Sequence, residues 1–341
     1  MTRIIVDAFG GDHAPTEIIK GARLATDELG VQVILTGDKA KLEAAAKDCG
    51  VSLDGIELVH APDVIPVDEE PTKLLRQYKN CSMAVGFALL VEGRGDAFVS
   101  AGSTGALAVG ATFIAKRIHG IKRAAIAACI PNEKGVYLLA DSGANTECRP
   151  EMLRQFAIMG SIYMNKVHGI ENPRVGLVNI GTEETKGSDL QIETNKLLRS
   201  TKLHYIGNLE ARDLPLGGCD VAICDGFTGN IILKLTEGMG KMMKNQLKEM
   251  FLANLVSKLG AVMVAGQLKA FKAKFDYKEH GGAMLLGVKK PVIKAHGSSD
   301  ARAIKNAIRQ AKICHESGII PTIEQAMAAF VDETTGTDSA D

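Results

Sequence analysis

Short β-branched runs alternate with longer stretches of helical period along most of the chain, and this alternation admits few architectures. Repeated many times, it is the pattern of a doubly wound, mostly parallel α/β sheet. Strands are expected near Ile4 to Phe9, Val31 to Thr36, Ile56 to His60, Ala97 to Ala101, Arg174 to Ile180, His204 to Asn208 and Val221 to Asp225. Helical periods follow at Thr16 to Leu29, Lys39 to Cys49, Pro71 to Glu92, Thr104 to Arg117, Met152 to His168 and Asp189 to Arg199. One interruption stands in the middle, where AAIAACI and GVYLLADSG flank a polar Pro-Asn-Glu-Lys turn and suggest an antiparallel excursion.

From Gly229 the pattern changes. Leu235, Met239, Met242, Met243, Leu247 and Met250, then Val264, Leu268, Phe271 and Phe275, recur at helical spacing on either side of an apolar stretch, LVSKLGAVMVAG. The spacing predicts a helical hairpin over 229–277 that protrudes from the sheet. Eight lysines (241, 244, 248, 258, 269, 272, 274 and 278) give it a local cationic excess. A final helical stretch covers Ser299 to Ser317 and Thr322 to Val331, and the acidic, polar residues 332–341 are expected to be a disordered tail. With no repeat or low-complexity linker, residues 1–331 form one catalytic domain that includes the hairpin.

The formal net charge is zero, which argues against nucleic acid as a partner. The seven cysteines are scattered through apolar runs without metal-ligand spacing, as suits reduced thiols in a cytoplasmic protein. The chain enters a strand-like run within its first residues, leaving no room for a secretory leader. Its apolar runs fall short of the roughly 18 to 20 residues that cross a bilayer.

In a parallel sheet, ligands gather at the carboxyl ends of strands. The polar, glycine-rich clusters fall at such ends: DAFGGDHAP, SAGSTGAL, DSGAN, NIGTEETKGS, DGFTGN and AHGSSD. In SAGSTGAL, Gly102 and Gly105 allow close approach, Ser103 and Thr104 supply hydroxyls, and the following helix offers unpaired N–H groups to an anion such as phosphate. An ordinary capped turn explains the same residues equally well. Lys186 can meet a phosphate or a polarised carbonyl, or be a solvated loop lysine. Asp225, with Asn230 one turn later, stands at a strand end and helix start, where a plain cap is the competing explanation. Among the histidines, His13 and His296 lie inside these loops and can act as acid, base or phosphate donor. A Walker loop, a GxGxxG fingerprint and a nucleophile elbow are all missing, so nucleotide cofactors and covalent catalysis have no support. The residues alone stop at an α/β enzyme acting on an anionic substrate, without metal or cofactor.

Taken in order, these clusters together with QFAIMGS, PRVGLVNIGTEETKG, YIGNLEARDL and GVKKPVIKAHGSSD resemble the bacterial phosphate acyltransferases, from Asp7 to about Ala311. Ser103 stands where that family usually has Asn. The resemblance implies a three-layer α/β/α fold of the isocitrate/isopropylmalate dehydrogenase type. It also implies transfer of a long-chain acyl group from acyl carrier protein to inorganic phosphate, a homodimer, and peripheral contact with the inner face of an anionic membrane. Phosphate is then expected at Gly102, Ser103, Thr104 and Gly105, with Lys186 nearby to offset charge. Asp225 and Asn230 would orient these groups, and His13 or His296 would protonate the leaving thiolate or hold phosphate. Two rival classes are a phosphotransacetylase-like enzyme using acyl-CoA and a dinucleotide-dependent dehydrogenase of the same fold.

Overall fold

The computed structural model describes residues 1–274 and 281–337. Its centre is one eleven-stranded sheet in the order β3-β2-β1-β4-β11-β10-β5-β6-β9-β7-β8. The strands are β1 Arg3–Asp7, β2 Gln32–Gly37, β3 Glu57–His60, β4 Ala97–Ser100, β5 Ala125–Asn132, β6 Gly135–Ala140, β7 Val175–Asn179, β8 Tyr205–Glu210, β9 Val221–Ile223, β10 Ala283–Leu286 and β11 Val292–Lys294. Parallel pairing joins β3, β2, β1, β4 and β11 on one side, and β6, β9, β7 and β8 on the other. Antiparallel pairs β11–β10, β10–β5 and β5–β6 lie between these two groups.

The helices are α1 Thr16–Leu29, α2 Lys39–Asp48, α3 Ser82–Val91, α4 Thr104–Phe113, α5 Pro150–His168, α6 Asp189–Arg199, α7 Gly226–Leu252, α8 Leu255–Met263, α9 Ala265–Lys274, α10 Ala301–Glu316 and α11 Ile319–Thr337. Strand alternation sorts the apolar side chains into two layers. Ile4 and Val6 join Ile19, Leu42, Leu153, Leu198, Ile304 and Ile319 from α1, α2, α5, α6, α10 and α11 on one face. Ile5 joins Phe87 of α3 and Leu107 of α4 on the other. Over β6, β7 and β9 that second face carries a smaller cluster, capped by Ile232 and Leu233 of α7. The result is the expected three-layer α/β/α arrangement.

All seven expected strands and the central β5–β6 hairpin are present. The continuous helix expected over Pro71 to Glu92 is instead a 3₁₀ turn, Pro71–Leu75, and a separate α3. The break has a purpose at atomic level. Cys81 leaves helical geometry to cap α3, and Ser82, its first residue, reaches Asp7. In the expected hairpin, the apolar tip is itself a helix, α8, between α7 and α9. Phe275, Tyr277 and Lys278 lie outside the described residues. Helix α11 runs from Ile319 to Thr337, and the last residues of the expected acidic tail, 338–341, lie outside the described residues. Among the described residues no helix is long and apolar enough to cross a membrane.

Candidate active site

Because β1, β4 and β11 are parallel neighbours, the loops that leave their carboxyl ends meet. Asp7 closes β1 and is buried, accepting hydrogen bonds from Ser82 Oγ at 2.5 Å, Ser100 Oγ at 2.7 Å and the Phe9 N–H at 3.2 Å. Burial pushes its carboxyl above the ordinary carboxylate value, against the pull of both serine hydroxyls. Ser100 Oγ also accepts the Gly102 N–H at 3.0 Å, tying β1 to the SAGSTGAL loop. Gly10 cannot be replaced without disturbance, since a Cβ there would stand 2.6 Å from both Asp7 Oδ2 and Gly102 N. The third loop joins through the Asp12 N–H, which donates to the Gly297 carbonyl at 2.8 Å, beside Gly11 at φ +102°.

Ser103 is buried and caps α4, its Oγ accepting the Ala106 N–H at 3.5 Å, so the capping explanation of this turn is realised. Thr104 is exposed and Gly105 half-buried. Capping leaves the remaining N–H groups of the first turn to whatever ligand approaches. His296, exposed at the end of β11, accepts the Ser298 N–H at Nδ1 (3.2 Å), which assigns the proton of the neutral ring to Nε2. Nε2 faces Glu237 of α7 at 4.0 Å. Burial lowers the His296 pKa and Glu237 opposes the shift. His13 is exposed, and its carbonyl accepts the Glu17 N–H at the start of α1.

A second group of loops leaves β6, β7 and β9. Asp141 is fully buried and folds the DSGAN turn around itself, accepting from the backbone of Ile126 at 2.9 Å and Asn145 at 2.6 Å and from Asn145 Nδ2 at 2.9 Å. Asp225 is buried and caps α7, accepting the Thr228 N–H at 2.9 Å and Thr228 Oγ1 at 2.8 Å. Its carboxylate is thus committed to aiming the helix. Asn230, exposed one turn along, faces Gly143 of the DSGAN turn. Lys186 is exposed in the β7–α6 loop, where its N–H donates to the Glu183 carbonyl and its own carbonyl accepts Asn179 Nδ2.

The expected residues thus lie on two sets of strand-end loops, Gly102, Ser103, Thr104, Gly105, His13 and His296 on those of β1, β4 and β11, and Lys186, Asp225 and Asn230 on those of β7 and β9. The expectation of Lys186 beside the Ser103 loop is corrected. β7 stands six places from β4 in the sheet, about 29 Å at ordinary strand spacing, and the described contacts of Lys186 stay within its own loop. What links the groups is α7, which starts at Asp225 and brings Lys234 and Glu237 to the end of β11. Sequence reasoning assigned no role to Asp7, Lys234, Glu237 or Lys294. For Lys294 a signal existed: a lysine between the buried Ile293 and Ala295 at the end of an apolar run. Among the described residues, no three side chains of metal-ligating type converge.

By fold, this arrangement defines the class of α/β proteins that includes the phosphotransacetylases. One from Streptococcus pyogenes superposes with a TM-score of 0.60 at 18% identity, covering 94% of each chain. A 4-hydroxythreonine-4-phosphate dehydrogenase from Klebsiella pneumoniae shares the fold at a TM-score of 0.53 and 12% identity, over 92% of this chain and 100% of that one. The family described as fatty acid synthesis protein matches residues 2–321. A phosphate acyltransferase from Desulforamulus reducens is 48% identical over 333 residues, 96% of this chain and 98% of that one. The chain belongs to this phosphate acyltransferase family.

Proposed function

We propose that the chain transfers a long-chain fatty acyl group from acyl carrier protein to inorganic phosphate, releasing acyl phosphate and the carrier's free thiol. As a member of the phosphate acyltransferase family it is an acyltransferase. The observation that carries the choice of acceptor is the convergence of the β1, β4 and β11 loops on the first turn of α4, beside Ser103, Thr104 and Gly105. Open N–H groups at a helix start suit a tetrahedral anion.

The chemistry needs little more than positioning and charge stabilisation. A phosphate oxygen attacks the thioester carbonyl carbon, the carbon–sulfur bond breaks, and the proton of hydrogen phosphate ends on the departing sulfur. His296, with its proton on Nε2, suits the relay, giving that proton to sulfur and recovering one from the acceptor. His13 offers a second donor at the rim of the same loops. Asp225 fixes the start of α7, the helix that carries Asn230, Lys234 and Glu237. The arm formed by α7, α8 and α9 pairs two copies of the chain and rests its apolar tip on an anionic membrane.

The test mixes the purified protein with palmitoyl-acyl carrier protein and phosphate and detects acyl phosphate by mass. The expected result is product without added metal or nucleotide, and faster turnover with the carrier-protein donor than with palmitoyl-CoA. A strict requirement for NAD, or a preference for the CoA thioester, would overturn the reading in favour of one of its two rivals.

A further inference from the structure

Lys294 ends β11 in register with Ser100 of β4, so its side chain enters the space under the SAGSTGAL loop. Its ammonium donates to the Ala101 carbonyl at 3.5 Å and to the Ala295 carbonyl. An ammonium has three N–H donors, and two are directed at these carbonyls. Among the described residues, the charged groups that face it come from several elements. Lys234 comes from α7 and is already ion-paired with Glu237 at 2.9 Å. Asp7 comes from β1, Asp12 from the β1–α1 loop and His296 from the loop that follows Lys294 itself. Asp7 is held by two serine hydroxyls. Among the described residues no carboxylate stands within ion-pair distance of Lys294.

We propose that Lys294 is the cation that contacts the anionic acceptor, inorganic phosphate, at the Ser103 loop. The inference deepens the acyl-to-phosphate reading above and rests on it. Lys294 is half-buried, and a lysine withdrawn in part from water without a carboxylate partner is less favourable in its charged form until an anion arrives. A phosphate beside Ser103 supplies that anion two residues from Ala101, whose carbonyl Lys294 already touches. The same charge then withdraws electron density from the acceptor's non-attacking oxygens and holds them while the remaining oxygen meets the thioester.

The free protein shows the complementary property. Burial, with a smaller contribution from Lys234, pushes the Lys294 pKa down to about 8, while Asp7 and Asp12 oppose the shift. The lysine is cationic below that value and neutral above it. Phosphate saturation therefore weakens as the pH rises through about 8.

The test measures phosphate and acyl-donor KM across pH 6.5 to 9.5 for the wild type, Lys294→Met and Lys294→Arg, with equilibrium dialysis of radiolabelled phosphate alongside. Removing one charge-assisted contact is expected to raise the phosphate KM and dissociation constant roughly tenfold to a hundredfold, with the acyl-donor KM within about twofold. The arginine variant keeps its charge at all these pH values, so its phosphate KM stays flat where that of the wild type rises. Phosphate's own ionisation is common to all three proteins and cancels in the comparison. An unchanged phosphate dissociation constant in a folded Lys294→Met protein overturns the inference, as does a wild-type alkaline limb that persists in Lys294→Arg. If Lys294→Met does not fold, the arginine comparison decides alone. Phosphate binding that depends on Lys294 in a protein that forms no acyl phosphate would sink the acyltransferase reading and leave the phosphate site standing.

Discussion

Helices α10 and α7 share an apolar period and differ in what covers it. In α10, Ala303, Ile304, Ala307, Ile308, Ala311 and Cys314 are all buried against the sheet and α1. In the longer α7, only Gly226 and Gly229 are buried, and Leu235, Met239, Met242 and Met250 keep 63%, 45%, 50% and 54% of their surface. An amphipathic period states that a face is to be covered, and leaves open whether the cover comes from the same chain. The α10 face holds the fold together; the α7 face is available to a second copy.

The comparison breaks most sharply on core truncation. Ile308→Ala is expected to lose about 2–5 kcal/mol in urea unfolding, whereas Leu235→Ala should change little except through protein concentration. A loss of that size from Leu235→Ala in dilute protein would mean that α7 packs on its own chain. Next, Met239→Glu with Met243→Glu is expected to convert a dimer to monomers in sedimentation velocity, with the urea midpoint of the dilute protein unmoved. An unaltered sedimentation coefficient would place the subunit contact elsewhere.

The smallest effect belongs to the tip. In α8, Leu255, Leu259, Val262 and Met263 are 78%, 67%, 75% and 84% exposed, and Lys258 and Lys269 flank them. Each lysine near an anionic surface contributes up to about 1 kcal/mol, and shallow apolar insertion adds reversible binding. Leu259→Glu with Val262→Glu should therefore reduce co-sedimentation with anionic vesicles while turnover on the carrier-protein donor persists. Vesicle binding that is unchanged removes the membrane role, and lost turnover in an intact dimer assigns the tip to the carrier protein instead.

The seven strands named from sequence are those long enough, or β-branched enough, to show their period. β10 and β11 escaped because they lie in one glycine- and lysine-interrupted stretch, GGAMLLGVKKPVIKAHG, without the helical period that follows most of the named strands. The Pro71 to Glu92 stretch misled for the opposite reason, since its apolar spacing runs on through a break imposed by Ser82 reaching Asp7. At the site, each loop was legible as a glycine-rich strand end. Their grouping was not, because it depends on sheet order, and β11 separates β4 from β10 only in three dimensions. Lys294 carried only a partial signal, a lysine at the end of an apolar run; its half-buried setting follows from its register with Ser100 and from α7 crossing nearby.

The position of β11 also sets an order in time. Synthesis delivers β4 at Ala97–Ser100 and β5 at Ala125–Asn132, but the strands that fill the space between them are Ala283–Leu286 and Val292–Lys294. A nascent chain thus carries two unpaired strand edges until its last quarter has left the ribosome, and such edges are templates for adhesion to other chains. The loops around Ser103 share that delay, since the Gly297 carbonyl that receives the Asp12 N–H is made after β10 and β11. Completion of the sheet and completion of the site are one late event, and a ribosome that stalls upstream of it releases an inactive, edge-exposed fragment.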